Sequence, residues 1–100
     1  MFCITDIIPE NKLKEFCQKY HIKRLSLFGS VLRNELRPGS DIDILVEFEE
    51  KDTPGLILFA GIEMELSDLI GRKVDLRTAG DLSRYFRDEV LNSAEVQYAK

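Results

Sequence analysis

The sequence predicts an α/β fold in which about four helices pack on a small mixed sheet of about three or four strands. Three observations support this prediction. Segments with helical apolar spacing alternate with short strand-like segments, and apolar residues occupy every second position of residues 41–48. The chain has 100 residues, 44% hydrophobic and 32% charged, which is ordinary for one globular core. We therefore expect a single domain over residues 1–100.

The helices are predicted from apolar periodicity and from residues that favour helix ends. The first begins near Pro9, a residue favoured at the first helical position, and its apolar stripe is Leu13, Phe16, Cys17 and Tyr20. A longer helix ends at Gly71, a favourable C-terminal cap. Its apolar positions are Leu56, Phe59, Ile62, Leu66, Leu69 and Ile70. A brief helix is expected over residues 30–36, and a last helix begins near Asp81 or Ser83. The last helix carries Leu82, Tyr85, Phe86 and Val90.

The strands are predicted from runs of apolar residues between turn signals. Residues 25–28 form a short strand, residues 41–48 the clearest one, residues 74–76 a third and residues 96–99 a short closing strand. In the clearest strand, one face is apolar and consists of Ile42, Ile44, Val46 and Phe48. The other face consists of Asp41, Asp43, Leu45 and Glu47. This pattern does not predict the strand order.

Charge and composition argue against several classes of function. The formal net charge of −4 disfavours a dedicated nucleic-acid binder, because phosphate backbones favour basic surfaces. His21 is the only histidine and the sequence has no CxxC pair, which argues against a zinc site. No apolar run is long enough to cross a membrane. Two cysteines without a signal peptide are typical of a reducing compartment, so we expect a cytoplasmic protein.

Gly29 and Ser30 lie where a strand is expected to meet a helix. A glycine lets the backbone approach a ligand closely, and the serine hydroxyl and the free N–H groups of a helix start favour phosphate. The alternative is an ordinary turn with Ser30 as the N-cap, and the Gly-Ser pair by itself favours this simpler interpretation. Arg33 lies on the same face of the expected helix, from which it can reach a triphosphate, although such arginines are more often solvated.

Three aspartates lie in or beside predicted strands. Asp41 and Asp43 project from one face of a strand, about 6–7 Å apart along it. Aspartate is a poor strand former and like charges repel, but a divalent cation such as Mg²⁺ resolves the conflict. Asp75 lies between two apolar strand residues and can join Asp43 if their strands are neighbours. The alternatives are that Asp41 caps a strand and that Asp75 is an edge residue paired with a nearby Arg or Lys.

Together, Gly29-Ser30-x-x-Arg33, Ser40-Asp41-x-Asp43 and Asp75 resemble the DNA-polymerase-beta-like nucleotidyltransferase superfamily. The sequence most resembles its short stand-alone branch, the minimal nucleotidyltransferases, which includes the antitoxin partners of HEPN-domain toxins. The resemblance extends over about residues 25–77. It implies the nucleotidyltransferase fold and an active enzyme, since every acidic position of the motif is present.

The resemblance implies a role for each of these residues. Gly29 and Ser30 would bind the β- and γ-phosphates of ATP, with Arg33 and Ser40 as further nucleotide-binding candidates. The three catalytic and metal-binding residues would be Asp41, Asp43 and Asp75, which would hold two Mg²⁺ ions. Asp75 would also activate or orient an acceptor hydroxyl, which would attack the α-phosphorus while pyrophosphate leaves.

The resemblance also implies a partner. In the antitoxin branch the acceptor is a tyrosine hydroxyl of the HEPN toxin, which receives AMP, so that its RNase site is blocked; a hetero-oligomer with the toxin is then expected. The short chain leaves no room for a domain that grips nucleic acid, and this favours a protein acceptor. The alternatives are a non-catalytic antitoxin that binds its toxin through exposed parts of residues 56–70 or 82–91, and a transferase with a small-molecule or RNA acceptor.

Overall fold

The computed structural model describes residues 4–29, 41–49, 51, 53–81 and 87–100. These residues form three α-helices, which are α1 (Glu10–Lys19), α2 (Leu56–Ile70) and α3 (Arg87–Ser93). They form four strands, which are β1 (Ile22–Phe28), β2 (Ile42–Phe48), β3 (Val74–Arg77) and β4 (Glu95–Ala99). Two short 3-10 turns are Ile4–Asp6 and Ala79–Asp81. The expected helix over residues 30–36 and the predicted helical positions Leu82, Tyr85 and Phe86 lie outside the described residues.

The strands form one mixed sheet in the order β3-β2-β1-β4. Strand β1 pairs antiparallel with both β2 and β4, whereas β2 and β3 are parallel. The predicted α/β class and mixed sheet are therefore confirmed, as is the closing strand. Strand β1 begins three residues earlier than the sequence predicted, at Ile22, which is buried and pairs with Phe48. The exposed charges of Lys23 and Arg24 interrupt the apolar pattern and hide this start.

The main hydrophobic core lies between one face of the sheet and the helices α1 and α2. It contains Leu13, Phe16 and Cys17 of α1, Ile62, Leu66 and Ile70 of α2, and alternate residues of β1, β2 and β3. Burial raises the pKa of the Cys17 thiol to about 12, so this side chain stays protonated and acts as a small apolar filler, as predicted. Among the described residues, no helix is long and apolar enough to cross a membrane.

Helix α2 ends at Gly71, as the sequence predicted. Gly71 has a φ of 78° and follows the last helical residue in the left-handed conformation that glycine favours. Its backbone N–H donates to the carbonyl oxygen of Ser67. Apolar spacing predicts this helix correctly but does not predict which positions are buried. Leu56 is 84% exposed, because α2 packs against the core only from Phe59 onwards.

We expect Gly71→Ala to lower the free energy of unfolding by about 1–2 kcal/mol, the ordinary cost of a left-handed non-glycine residue. Nothing lies within 4 Å of the position that an added Cβ would occupy, so the cost is confined to backbone strain. Urea denaturation followed by circular dichroism measures the change. A variant as stable as the wild type would show that the backbone relaxes out of the left-handed region.

Candidate active site

The acidic residues of β2 lie on the face of the sheet opposite the main core. Ile42 and Ile44 are fully buried in that core, so the alternating residues Asp43 and Leu45 project to the other side. Leu45 forms a small second cluster there with Phe28, against which Val90 of α3 and Ala94 pack. The region around Leu45 is therefore covered, whereas Asp43 beside it stays partly exposed.

Asp43 and Asp75 are directly opposite each other on the parallel strands β2 and β3. Opposed residues project from the same face of a sheet, so the register brings the two carboxyl groups to one surface. The condition that the sequence analysis set for Asp75, namely that its strand lies beside residues 41–48, is met. Two aspartates at opposed positions are unusual for a sheet, because aspartate is a poor strand former and the like charges repel.

Gly29 follows the last residue of β1 and lies at the border of the surface that carries Asp43 and Asp75. Phe28 is paired with Asp43, so the next residue lies beside the Asp43 side chain. Gly29 has a φ of 77°, and a Cβ added to it would collide with the Asp43 carboxylate. Both the backbone conformation and the carboxylate therefore require glycine here. A glycine that permits close backbone approach was predicted here from the sequence, but the group expected to approach it was a ligand and not the Asp43 carboxylate.

Two basic side chains pair with the acidic residues on the same face. The Arg77 Nε lies 3.0 Å from the Asp75 Oδ1, and its Nη2 lies 3.4 Å from Oδ2. The Lys73 Nζ lies 3.8 Å from the Asp41 Oδ2. Lys73 and Arg77 stand two residues before and after Asp75, and this alternation puts all three on one face. The simpler interpretation of Asp75, an edge-strand residue paired with a nearby arginine, thus describes its contacts in the structure.

Lys73 was not among the predicted site residues. Its position two residues before Asp75 indicates that both side chains lie on the same face of the sheet. Its contact with Asp41, however, exists only because β2 and β3 are neighbouring strands. Asp41 precedes Asp43 by two residues and immediately precedes β2, and its side chain is 43% exposed. Acidic and basic side chains therefore form pairs on this face of β2 and β3, Lys73 with Asp41 and Arg77 with Asp75.

The fit of this surface to Mg²⁺ depends on its donor chemistry. Carboxylate oxygens are the ligands that Mg²⁺ prefers, and Asp43 and Asp75 offer them from adjacent strands. Within the part of the chain that the structure describes, no group of three or more His, Cys, Asp or Glu side chains is close enough together to hold a metal ion. The structure places Asp43 and Asp75 side by side but does not gather all three aspartates into one cluster.

The other predicted nucleotide-binding residues are Ser30, Arg33 and Ser40, which lie outside the described residues. They stay predictions. Gly29, which immediately precedes Ser30, fixes only where the chain leaves β1, beside the Asp43 carboxylate.

Comparison of the sequence with known proteins finds relatives that all belong to one family. A family model described as the nucleotidyltransferase domain matches residues 10–96. A Methanocaldococcus jannaschii protein provisionally assigned as a protein adenylyltransferase, MJ0128, is 49% identical over 77 residues, which cover 77% of this chain and 76% of the relative. The protein adenylyltransferase MntA of Thermococcus cleftensis is 37% identical over 95 residues, which cover 95% of this chain and 91% of the relative.

Solved structures share the fold. A protein assigned as a minimal nucleotidyltransferase is 36% identical, with a TM-score of 0.69 and 84% of each chain covered. A toxin–antitoxin structure with AMP-PNP contains a chain with a TM-score of 0.72 at 23% identity, covering 93% of this chain and 75% of that one. A Shewanella oneidensis complex of a tri-AMPylated HEPN toxin with its MNT antitoxin gives a TM-score of 0.64 at 22% identity, covering 91% and 70%.

Proposed function

Because this chain belongs to the nucleotidyltransferase domain family and is a minimal nucleotidyltransferase, we propose that it transfers AMP from ATP, with Mg²⁺, to a hydroxyl group of a partner protein. The acceptor is a tyrosine of a HEPN-type RNase toxin, which the transfer neutralises. The observation that carries this proposal is the pairing of Asp43 with Asp75 on one face of the sheet, next to a glycine whose missing Cβ makes room for the Asp43 carboxylate.

The relatives support the choice of donor and acceptor. MntA of Thermococcus cleftensis is named a protein adenylyltransferase and matches nearly the whole chain. In the Shewanella oneidensis complex the toxin carries AMP groups, and in the other toxin–antitoxin structure the nucleotide is an ATP analogue. A transferase with a small-molecule or RNA acceptor has no comparable support, and the acidic net charge of −4 disfavours the RNA acceptor.

The residues of the site have complementary tasks in this proposal. Asp41, Asp43 and Asp75 would hold Mg²⁺, which would supply positive charge to the attacking and leaving oxygens. Lys73 and Arg77, now paired with Asp41 and Asp75, can turn to the phosphate oxygens when a nucleotide is present. This exchange frees the Asp75 carboxylate to orient the acceptor hydroxyl and take its proton. The hydroxyl oxygen then bonds to the α-phosphorus while the bond to pyrophosphate breaks.

The test is transfer of label from α-labelled ATP with Mg²⁺ into protein, in a lysate of the source cell. Wild type is compared with an Asp41→Asn/Asp43→Asn double variant, and mass spectrometry identifies the labelled tyrosine. A labelled band that appears only with wild type supports the proposal. Absence of label from every protein, although the chain binds a partner, would contradict catalysis and favour the non-catalytic antitoxin.

A binding role has support of its own, from an exposed apolar surface at the beginning of α2. Leu56, Ile57 and Leu58 are 84%, 91% and 52% exposed, and Met64 on the following turns is 69% exposed. Beside them is a pocket of about 300 Å³, lined by Phe48, Thr53, Pro54, Leu56, Phe59 and Thr78. Surfaces of this kind mark protein–protein contacts, so we propose that the toxin docks here whether or not it is modified.

We expect Ile57→Ser to weaken binding of the cognate toxin by about tenfold or more, because truncating an apolar anchor removes burial at the interface. The matched control is Val96→Thr, a polar replacement of an apolar side chain that is 53% exposed on β4. Titration calorimetry with purified toxin measures both. Equal affinities for the two variants and the wild type would exclude the α2 surface as the interface.

A further inference from the structure

Strand β3 lies at the edge of the sheet, and its outer side faces away from β2. The Ile42 N–H donates to the Lys73 carbonyl oxygen at 2.9 Å, so the odd-numbered residues of β3 direct their backbone groups towards β2. The N–H groups of Val74 and Leu76 therefore point outwards. Such outward groups on an edge strand normally bond to water or to another chain.

Two side chains of α2 accept these outward N–H groups. The Val74 N–H donates to the Ser67 Oγ at 3.0 Å, and the Leu76 N–H donates to the Glu63 Oε2 at 2.9 Å. The Ser67 hydroxyl in turn donates to the Glu63 carbonyl oxygen at 2.8 Å, which fixes its orientation. Helix α2 thereby holds β3 at the residue before Asp75 and at the residue after it.

The contact of Glu63 is not a general property of acidic residues on this helix. The Glu65 carboxylate lies 3.3 Å from the Lys19 Nζ and accepts a 3.0 Å hydrogen bond from the Tyr20 hydroxyl, so it joins α2 to α1. The partly buried carboxylate of Glu63 instead accepts a hydrogen bond from the backbone N–H of Leu76. A hydrogen bond to a charged acceptor is stronger than one between neutral groups, so this contact holds the strand firmly.

We propose that Glu63 and Ser67 are positioning residues, which hold Asp75 opposite Asp43 by fixing β3 from its outer side. The inference rests on the proposed function, because it assigns these side chains a purpose in the same site. Strand β3 has only four residues, and its ladder to β2 is its single backbone attachment within the described sheet. Loss of the outer hydrogen bonds lets the strand shift, and a displacement of about 1 Å at a reacting group can cost about a hundredfold in rate.

The experiment compares Glu63→Ala, Glu63→Gln and Glu65→Ala in the AMP-transfer reaction, with amide hydrogen exchange at Leu76 as a second readout. We expect Glu63→Ala to lower kcat by about 10- to 100-fold, to leave the KM for ATP within about twofold, and to speed exchange at Leu76. Glu63→Gln keeps an acceptor oxygen at the same reach and is expected to retain most activity. Glu65→Ala, which removes a carboxylate from the same helix, is expected to leave kcat unchanged.

Combination with Asp75→Asn separates positioning from general stability. If Glu63 acts through Asp75, then Glu63→Ala causes no further loss of kcat in an Asp75→Asn background. Losses that multiply, or an active Glu63→Ala variant whose Leu76 amide exchanges rapidly, would overturn the inference. Ser67→Ala, a smaller change expected to cause a smaller loss in the same direction, gives the same test if Glu63→Ala does not fold. A wild type without transfer would contradict the proposed function instead, and this outcome is visible before any variant is compared.

Discussion

Asp43→Asn is expected to reduce AMP transfer by about a thousandfold, which corresponds to about 4 kcal/mol of lost transition-state stabilisation. Asparagine has the shape of aspartate but lacks the charge that a divalent cation requires. Asp43 lies opposite Asp75 of the neighbouring edge strand β3 and against Gly29, so its charge is lost directly at the candidate site. The measurement is single-turnover transfer from labelled ATP to the purified acceptor.

The loss is expected to be specific to catalysis. Because the replacement is isosteric and Asp43 is partly exposed, the free energy of unfolding should change by less than about 1 kcal/mol. The matched control is Glu47→Gln, which removes a carboxylate from the same strand; this carboxylate pairs with Arg24 at 3.4 Å. We expect the control to transfer AMP normally. An unfolded Asp43→Asn variant, or equal losses in both variants, would count against a metal-binding role for Asp43.

Gly29→Ala is expected to lower the transfer rate by about 10- to 100-fold and to cost about 1–2 kcal/mol of stability. The stability cost follows from the φ of 77°. The loss of rate follows from the added Cβ, which would displace the Asp43 carboxylate from its place opposite Asp75. Steady-state kinetics with ATP and urea denaturation measure the two effects separately.

Gly71→Ala is a matched control for this variant. Gly71 has nearly the same φ, 78°, but no atom lies near its missing Cβ, so it should lose stability and keep its activity. The values of kcat and of the affinity for ATP in Gly29→Ala also distinguish two possible roles of Gly29. A fall in kcat alone indicates that the glycine serves Asp43, and a weaker affinity for ATP indicates that its backbone also contacts the phosphates. A fully active Gly29→Ala variant would contradict both roles.

The sequence predicted those features of the fold that depend on local patterns. Alternation in residues 41–48 correctly put Asp43 on the face opposite Ile42 and Ile44, and the apolar spacing with the glycine signal at Gly71 correctly predicted α2 and its end. The strand order and the pairing of Asp43 with Asp75 were not predictable, because they depend on how segments far apart in the chain pack together. The first three residues of β1 were missed because the charged side chains of Lys23 and Arg24 interrupt the apolar pattern of the strand.

The candidate site was predictable only in part. The structure brings Gly29, Asp43 and Asp75 of the predicted motif together on one surface, but the roles of the motif in catalysis and nucleotide binding stay predictions. Nothing in the sequence separated Glu63 from Glu65, since both read as ordinary acidic residues of a helix. Only the position of β3 beside α2 shows that one bonds to a backbone N–H and the other to α1. The pairing of Asp75 with a nearby basic residue was one of the interpretations of the sequence, and Arg77 is that residue. The contact of Lys73 with Asp41, by contrast, depends on β2 and β3 being neighbours.

The decisive measurement compares ATP labelled at the α-phosphate with ATP labelled at the γ-phosphate, using wild type and Asp43→Asn with the purified toxin as acceptor. We predict that wild type transfers the α-label and none of the γ-label to a toxin tyrosine, that the reaction needs Mg²⁺, and that Asp43→Asn transfers neither label at a comparable rate. Transfer of the γ-label would mean phosphorylation rather than AMP transfer. Equal α-label transfer by the two proteins would show that the carboxylate pair of β2 and β3 is not the active site.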